Sequence, residues 1–189
     1  MAIPRPYRPD STEYGVGYQL VLRVFGRSRG APRGWVRAGP LLLQCALGRS
    51  GRFHRKREGD GATPSGWWRP VMVLYRADRT TRPRTGLAVR PLRPDGGWCD
   101  AVGDRNYNRY VRHPYPASAE RLWRSDQLYD VIVVLDHNTR PRVRGGGSAI
   151  FMHLARSGFT PTEGCIALAR RDLMLLLARI GRHARLAIA

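Results

Sequence analysis

The chain has 189 residues, 42% hydrophobic and 25% charged, a balance that suits one folded domain with a real core and excludes a chain disordered throughout. Its charge is lopsided: 33 Lys and Arg against 14 Asp and Glu give a formal net charge of +19, and Lys56 is the only lysine. Such a surplus suits a polyanionic neighbourhood, whether nucleic acid, an anionic membrane surface or a carboxylate-rich cell wall, and no stretch is apolar for the roughly 18 residues a membrane-spanning helix needs.

Residues 1–17 read as an irregular, proline-containing N-terminal arm, and 18–189 as a single domain. Alternation over 18–25 fits a half-buried strand, 26–34 a basic turn and 35–37 the returning strand. Short apolar runs at 41–47 and 71–75, bounded by turn residues, read as strands of a sheet core. Between them, 48–66 is rich in Gly, Arg and Asp and reads as a loop or wide hairpin without P-loop spacing. Trp67, Trp68, Trp98 and Trp123 suit core or rim packing, although one could floor a sugar or peptide groove. Residues 96–115 carry too many polar and turn residues for a regular element. Within them Arg105 and Tyr107, in Asp104-Arg105-Asn106-Tyr107-Asn108, are candidates to reach into a cleft, with a solvated loop as the alternative. Ser118 starts a possible helix, with Glu120 and Arg121 in its first turns. The clearest buried strand is 131–135, ending in the turn Asp136-His137-Asn138. After three glycines, 149–152 forms an apolar run that delivers His153 at its end, and 166–168 forms another. Leu173, Leu176, Leu177 and Ile180 stand at helical spacing over 170–180, with Gly181 as a stop.

His153 and Cys165 therefore end one apolar run and precede another, across a loop punctuated by Gly158, Pro161 and Gly164 that can fold the imidazole back onto the thiol. The thiolate is the reactive form of cysteine, and a neighbouring imidazole is the usual means of reaching it near neutral pH. Gly164 removes a Cβ that would crowd a substrate and leaves adjacent backbone N–H groups to face a developing oxyanion. The competing reading is a small core cysteine beside a satisfied histidine. Cys45 lies in an apolar run and reads as core, and Cys99 as a small buried residue or a second site-lining thiol. With three cysteines and no paired spacing, neither a disulfide framework nor a metal site is indicated. His137 is the next imidazole after His153, and Arg142, Arg144 and Arg156 are candidates to grip substrate carboxylates. The arginines are scattered, and no zinc-finger, recognition-helix or RNP-like pattern points to nucleic acid.

This segment resembles the signature of the L,D-transpeptidase (YkuD) family, a histidine followed by a loop and then Ser/Thr-His-Gly-Cys and a hydrophobic residue. Here those positions read His153, Thr162, Glu163, Gly164, Cys165 and Ile166. Thr63-Pro64-Ser65-Gly66 is similar to the Thr-Pro-x-Gly turn before a strand in the same family, and 104–108 and 130–138 look like one branch of it, so the resemblance covers about residues 40–180. It implies a mostly β fold, a twisted sheet curled into a sandwich or barrel with a few short helices. It also implies peptidoglycan L,D-transpeptidase activity: Cys165 attacks the peptide bond after a diamino acid of a stem peptide, releases the terminal D-residue and passes the acyl group to an amine. His153 would be base and then acid, with the amides around Gly164 and Cys165 as oxyanion donors. Arg144, Arg156, Glu163, Arg105 and Tyr107 would bind substrate. The implied setting is the periplasm, although no export signal is visible, with peptidoglycan stem peptides as partners, no metal or organic cofactor, a monomeric enzyme and susceptibility to carbapenems. Two departures stand out: Glu163 replaces the second histidine, and Ala167 stands where an Arg or Asn is common. Glu163 reads either as an orienting partner of His153 or as a solvated loop residue. The alternatives are an L,D-carboxypeptidase or amidase of the same fold, and a non-enzymatic basic protein binding nucleic acid or cell wall.

Overall fold

Short β-branched and leucine-rich runs between Gly-, Pro- and Arg-rich turns leave little room for helices, and the chain folds accordingly as strands. A computed structural model describes residues 20–189; the N-terminal arm expected over 1–17, and the start of the strand expected from 18, lie outside the described residues. In order come β1 (Val21–Gly26), β2 (Arg33–Ala38), β3 (Leu41–Ala46), β4 (Arg52–Phe53), β5 (Thr63–Pro64), β6 (Gly66–Trp68), β7 (Pro70–Tyr75), β8 (Ala88–Pro91), β9 (Gly96–Cys99), β10 (Tyr110–Arg112), β11 (Ala119–Arg121), β12 (Val131–Leu135), β13 (Phe151–Leu154), β14 (Ile166–Leu168), α1 (Arg170–Leu177) and β15 (Arg185–Ile188), with a 3₁₀ turn at Ser157–Phe159. No helix among the described residues is long and apolar enough to cross a membrane.

Ten strands form one sheet in the order β6-β15-β1-β2-β3-β14-β13-β12-β7-β8, curled into a half-barrel. Side chains alternate across it, so each face needs its own cover. One face carries Leu22, Val36, Val133, Met152, Ile166 and Leu168 and is closed by Leu173, Leu176 and Leu177 of α1. The other carries Ile132, Val134, Phe151 and Cys165 and is closed by Trp98 and Leu122, brought by a small sheet of order β10-β9-β11. β12 serves both faces and is buried at every residue. At its foot Asp130, 2% exposed, accepts hydrogen bonds from Arg79 (3.3 Å) and from Arg170 (2.5 Å) of α1, tying the helix to the sheet.

The small sheet corrects two expectations. Residues 96–115 contain β9 and β10, and the helix expected from Ser118 is instead strand β11, paired antiparallel to β9 with Glu120 opposite Trp98. Ser118 does not cap a helix, because its carbonyl accepts from Asp100 N (3.3 Å) while Leu122 N donates to Gly96 O (3.0 Å). In a three-residue element, pairing with a distant strand outweighs a local capping pattern. The C-terminal helix also stops earlier than Ile180. Arg179 N and Ile180 N turn back on Leu176 O and Leu177 O at 3.0 and 3.3 Å, and Ile180 O is taken by Gly86 N at 2.9 Å. The chain is thereby turned toward β15, which runs parallel to β1 and antiparallel to β6.

Candidate active site

β13 and β14 lie side by side near the middle of the large sheet, parallel, with Met152 opposite Ile166 and His153 opposite Ala167. His153 is thus the third residue of its strand rather than the one after it. Extending the register by one residue sets Cys165 opposite Phe151, and the Phe151 N–H donates to Cys165 Sγ at 3.4 Å. Phe151, His153, Cys165 and Ala167 therefore share the face turned toward the small sheet. The thiol and the imidazole are diagonal neighbours on it, about 8 Å apart at Cα from strand spacing and rise. Both line one cleft of about 470 Å³.

The imidazole is held in one tautomer. His153 Nδ1 lies 2.9 Å from Leu154 O, and a carbonyl can only accept, so the proton sits on Nδ1 and Nε2 carries the lone pair. Its ring packs edge-on against Tyr129 at 5.2 Å, and Tyr129 in turn donates to Glu120 Oε1 at 2.6 Å. Burial pushes the His153 pKa down to about 4. Burial also pushes the Cys165 thiol up to about 12, with the Glu120 carboxylate as the next contribution. Neutral thiol and neutral imidazole are thus the resting pair.

Thiol orientation depends on a loop. Cys165 Sγ donates to Ala149 O at 3.2 Å, and Ala149 holds a left-handed φ of +52°, uncommon for a residue with a side chain. Asn108 supports it: its Oδ1 accepts from Ala149 N (3.2 Å) and Trp98 Nε1 (2.9 Å), and its Nδ2 donates to His137 O (3.0 Å) and Asn138 O (2.9 Å). Gly164 has φ +135°, and a Cβ there would lie 2.7 Å from Ala62 O, so what its missing side chain admits is neighbouring backbone. Gly164 N donates to Thr162 Oγ1 (3.2 Å), which itself donates to Cys165 O (2.6 Å); Thr162 acts as turn chemistry, and the Gly164 amide is engaged in it.

A search against protein families matches residues 28–185 to the L,D-transpeptidase catalytic domain, YkuD. The chain belongs to that family. No curated protein and no solved structure shows significant similarity to it.

Within this YkuD domain the other expected site residues scatter. Arg156 and Glu163 line the cysteine cleft, Glu163 as an exposed residue paired with Arg49 Nε at 2.8 Å, while the polar contact of His153 is to Leu154. Arg144 and Arg105 are exposed and are not part of the cleft wall. Tyr107 is 1% exposed, and its hydroxyl donates to the Glu58 carboxylate behind that wall. His137 lines a separate groove. Cys45 and Cys99 are fully buried and unpaired, Cys45 in the core beneath α1 and Cys99 in β9. No cluster of metal-ligating side chains occurs among the described residues. Sequence reasoning missed Tyr129, which packs on His153 from the turn before β12, Glu120, which β11 brings to the Tyr129 hydroxyl, and Glu58 and Asp100, which add carboxylates to the cleft that Arg124 and Arg156 also line. Asn108 was within the polar run singled out, but no local signal separated it from its neighbours.

Proposed function

We propose that this domain is a peptidoglycan L,D-transpeptidase in which Cys165 is the nucleophile and His153 Nε2 the base. The observation that carries the reading is the fixed imidazole: Nδ1 is committed to Leu154 O, so Nε2 is the basic nitrogen, and His153 lines the same cleft as the thiol. As Sγ attacks the carbonyl carbon of the donor stem peptide, Nε2 takes the thiol proton and becomes the imidazolium. The Cys165 N–H donates to the oxyanion, since the Gly164 N–H is turned to Thr162. Collapse breaks the C–N bond, Nε2–H protonates the departing D-residue amine, and a thioester remains. An acceptor amine then attacks the thioester carbonyl, Nε2 removes its proton, and the sulfur leaves and is reprotonated. Arg156, which lines the cleft and is in no ion pair among the described residues, suits a carboxylate of a stem peptide, while Arg124 is held by Asp126. The reading places the enzyme outside the cytoplasmic membrane, in the periplasm.

Incubation with a tetrapeptide-bearing muropeptide, followed by mass analysis, tests it. Release of the terminal D-residue with a crosslinked product is expected; release with water as the only acceptor identifies an L,D-carboxypeptidase instead. Cys165→Ala and His153→Ala are expected to abolish turnover, and Cys45→Ala and Cys99→Ala to retain it. A carbapenem adduct mapped by intact mass to Cys165 identifies the nucleophile, and an adduct on another residue overturns the assignment.

A further inference from the structure

A second depression of about 970 Å³ lies between β6–β7 and the 136–146 loop, and among the described residues it shares no wall residue with the cysteine cleft. Its chemistry is unlike that of the first. Trp67 presents its indole at 56% exposure, with Val71 at 50% and Val143 at 59%. Arg55, Arg69, Arg140 and Arg142 also line it, and among the described residues none of these four guanidiniums is in an ion pair. The one carboxylate in the wall, Asp136, accepts the Arg69 backbone N–H at 2.7 Å.

Two polar atoms of residues in the wall lack partners beneath its surface. His137, 7% exposed, has Nε2 2.9 Å from Gly146 O, so Nε2 carries the proton and Nδ1 is an acceptor with no donor. Arg142 Nε is a buried donor with no acceptor. Both atoms are enclosed, with almost no accessible surface, so they do not themselves select a ligand for the groove. An exposed indole beside valines suits the apolar face of a pyranose ring, and unpaired guanidinium forks suit carboxylates.

We propose that this groove is a binding site for a carboxylate-bearing glycan strand, with a sugar ring on Trp67 and its acidic groups on Arg69 and Arg140. Such a site would hold a stretch of the strand whose lactyl carboxylates are free, while a stem peptide carried elsewhere on the polymer occupies the cysteine cleft. The choice of cell-wall glycan rests on the proposed transpeptidase reading; the site itself does not use Cys165. A nucleic acid would also meet arginines and an indole; the glycan is favoured because the chain belongs to a family that acts on peptidoglycan.

The test uses the full chain carrying Cys165→Ala, titrated with peptidoglycan glycan strands stripped of their stem peptides and bearing free lactyl carboxylates, followed by tryptophan fluorescence and calorimetry. Saturable binding is expected, weakened at least tenfold by Trp67→Ala and by Arg140→Ala; both side chains are exposed, so the fold should tolerate their loss. Esterified strands should bind at least tenfold more weakly than free acids. Undiminished binding in both variants, equal binding of esterified strands, or displacement of the glycan by a dT12 oligonucleotide of higher affinity would each overturn the proposal, as would no binding at millimolar strands. None of these outcomes depends on turnover, so a failed crosslinking assay and a failed glycan titration remain separate results.

Discussion

Replacing Gly164 by alanine should damage the fold and the site together. At φ +135° a residue with a side chain is strained by about 1–3 kcal/mol. The added Cβ would also lie 2.7 Å from Ala62 O, a backbone atom that cannot swing aside like a side-chain tip. Overpacking of this kind typically costs about 1–3 kcal/mol more, offset by less than about 1 kcal/mol from a stiffer unfolded chain. The net expectation is a loss of about 2–5 kcal/mol, which for a domain of this size lowers Tm by roughly 5–15 °C. Gly39→Ala is the matched control: its φ is +56°, yet nothing lies within 4 Å of the new Cβ, so only about 1 kcal/mol is at stake. Thermal unfolding of both variants, followed by near-ultraviolet circular dichroism, measures the difference, and the alkylation rate of Cys165 reports displacement of the thiol. If Gly164→Ala loses no more stability than Gly39→Ala and its thiol reacts at the wild-type rate, the close approach to Ala62 is not what requires glycine.

The buried, neutral His153 should make stability depend on acid. The unfolded imidazole protonates near pH 6.5 while the folded one resists to about 4, so the unfolded chain binds more protons between them; stability is full above about pH 6.5 and falls by up to roughly 3 kcal/mol on the way to pH 4. Denaturant titrations at pH 7, 5.5 and 4 should show this fall, reduced in His153→Gln, and an equal fall in the variant would contradict it. Because the Glu120 carboxylate helps hold the thiol pKa up, Glu120→Gln should shift the pH profile of Cys165 alkylation to lower pH; an unchanged or upward-shifted profile would remove Glu120 from the electrostatics of the site. Asp130→Ala should cost about 1.5–3 kcal/mol in denaturant unfolding, since it removes a buried acceptor from the part-exposed Arg79 and Arg170, and a loss below about 0.5 kcal/mol would mean that the two arginines simply turn to water.

Much of the large sheet was legible because its strands are apolar runs bounded by turn residues. The buried strand expected at 131–135 coincides with β12, and those expected at 41–47, 71–75 and 166–168 fall on β3, β7 and β14. The amphipathic spacing of Leu173, Leu176 and Leu177 likewise identified α1, in which these three leucines are fully buried. Elements that depend on a distant partner were not legible. Gly96-Gly97-Trp98-Cys99 has no strand pattern of its own and is fully buried only because β10 and β11 flank it. β15 is four residues long and is defined by its neighbours β1 and β6.

The order of residues alone, through His153, the glycine-punctuated loop and Thr162-Glu163-Gly164-Cys165, determined the family and the candidate thiol and imidazole, because that chemistry needs particular side chains at a particular chain separation. Only the tertiary structure decided which groups surround them: Tyr129 beside His153 with Glu120 on its hydroxyl, Asn108 beneath Ala149, Arg49 on Glu163, and Arg105 and Arg144 away from the cleft. The physical reason is distance along the chain. A local pattern records backbone preference and the alternation of faces, whereas the tautomer and protonation of an active-site pair are set by whatever the fold packs against it in space.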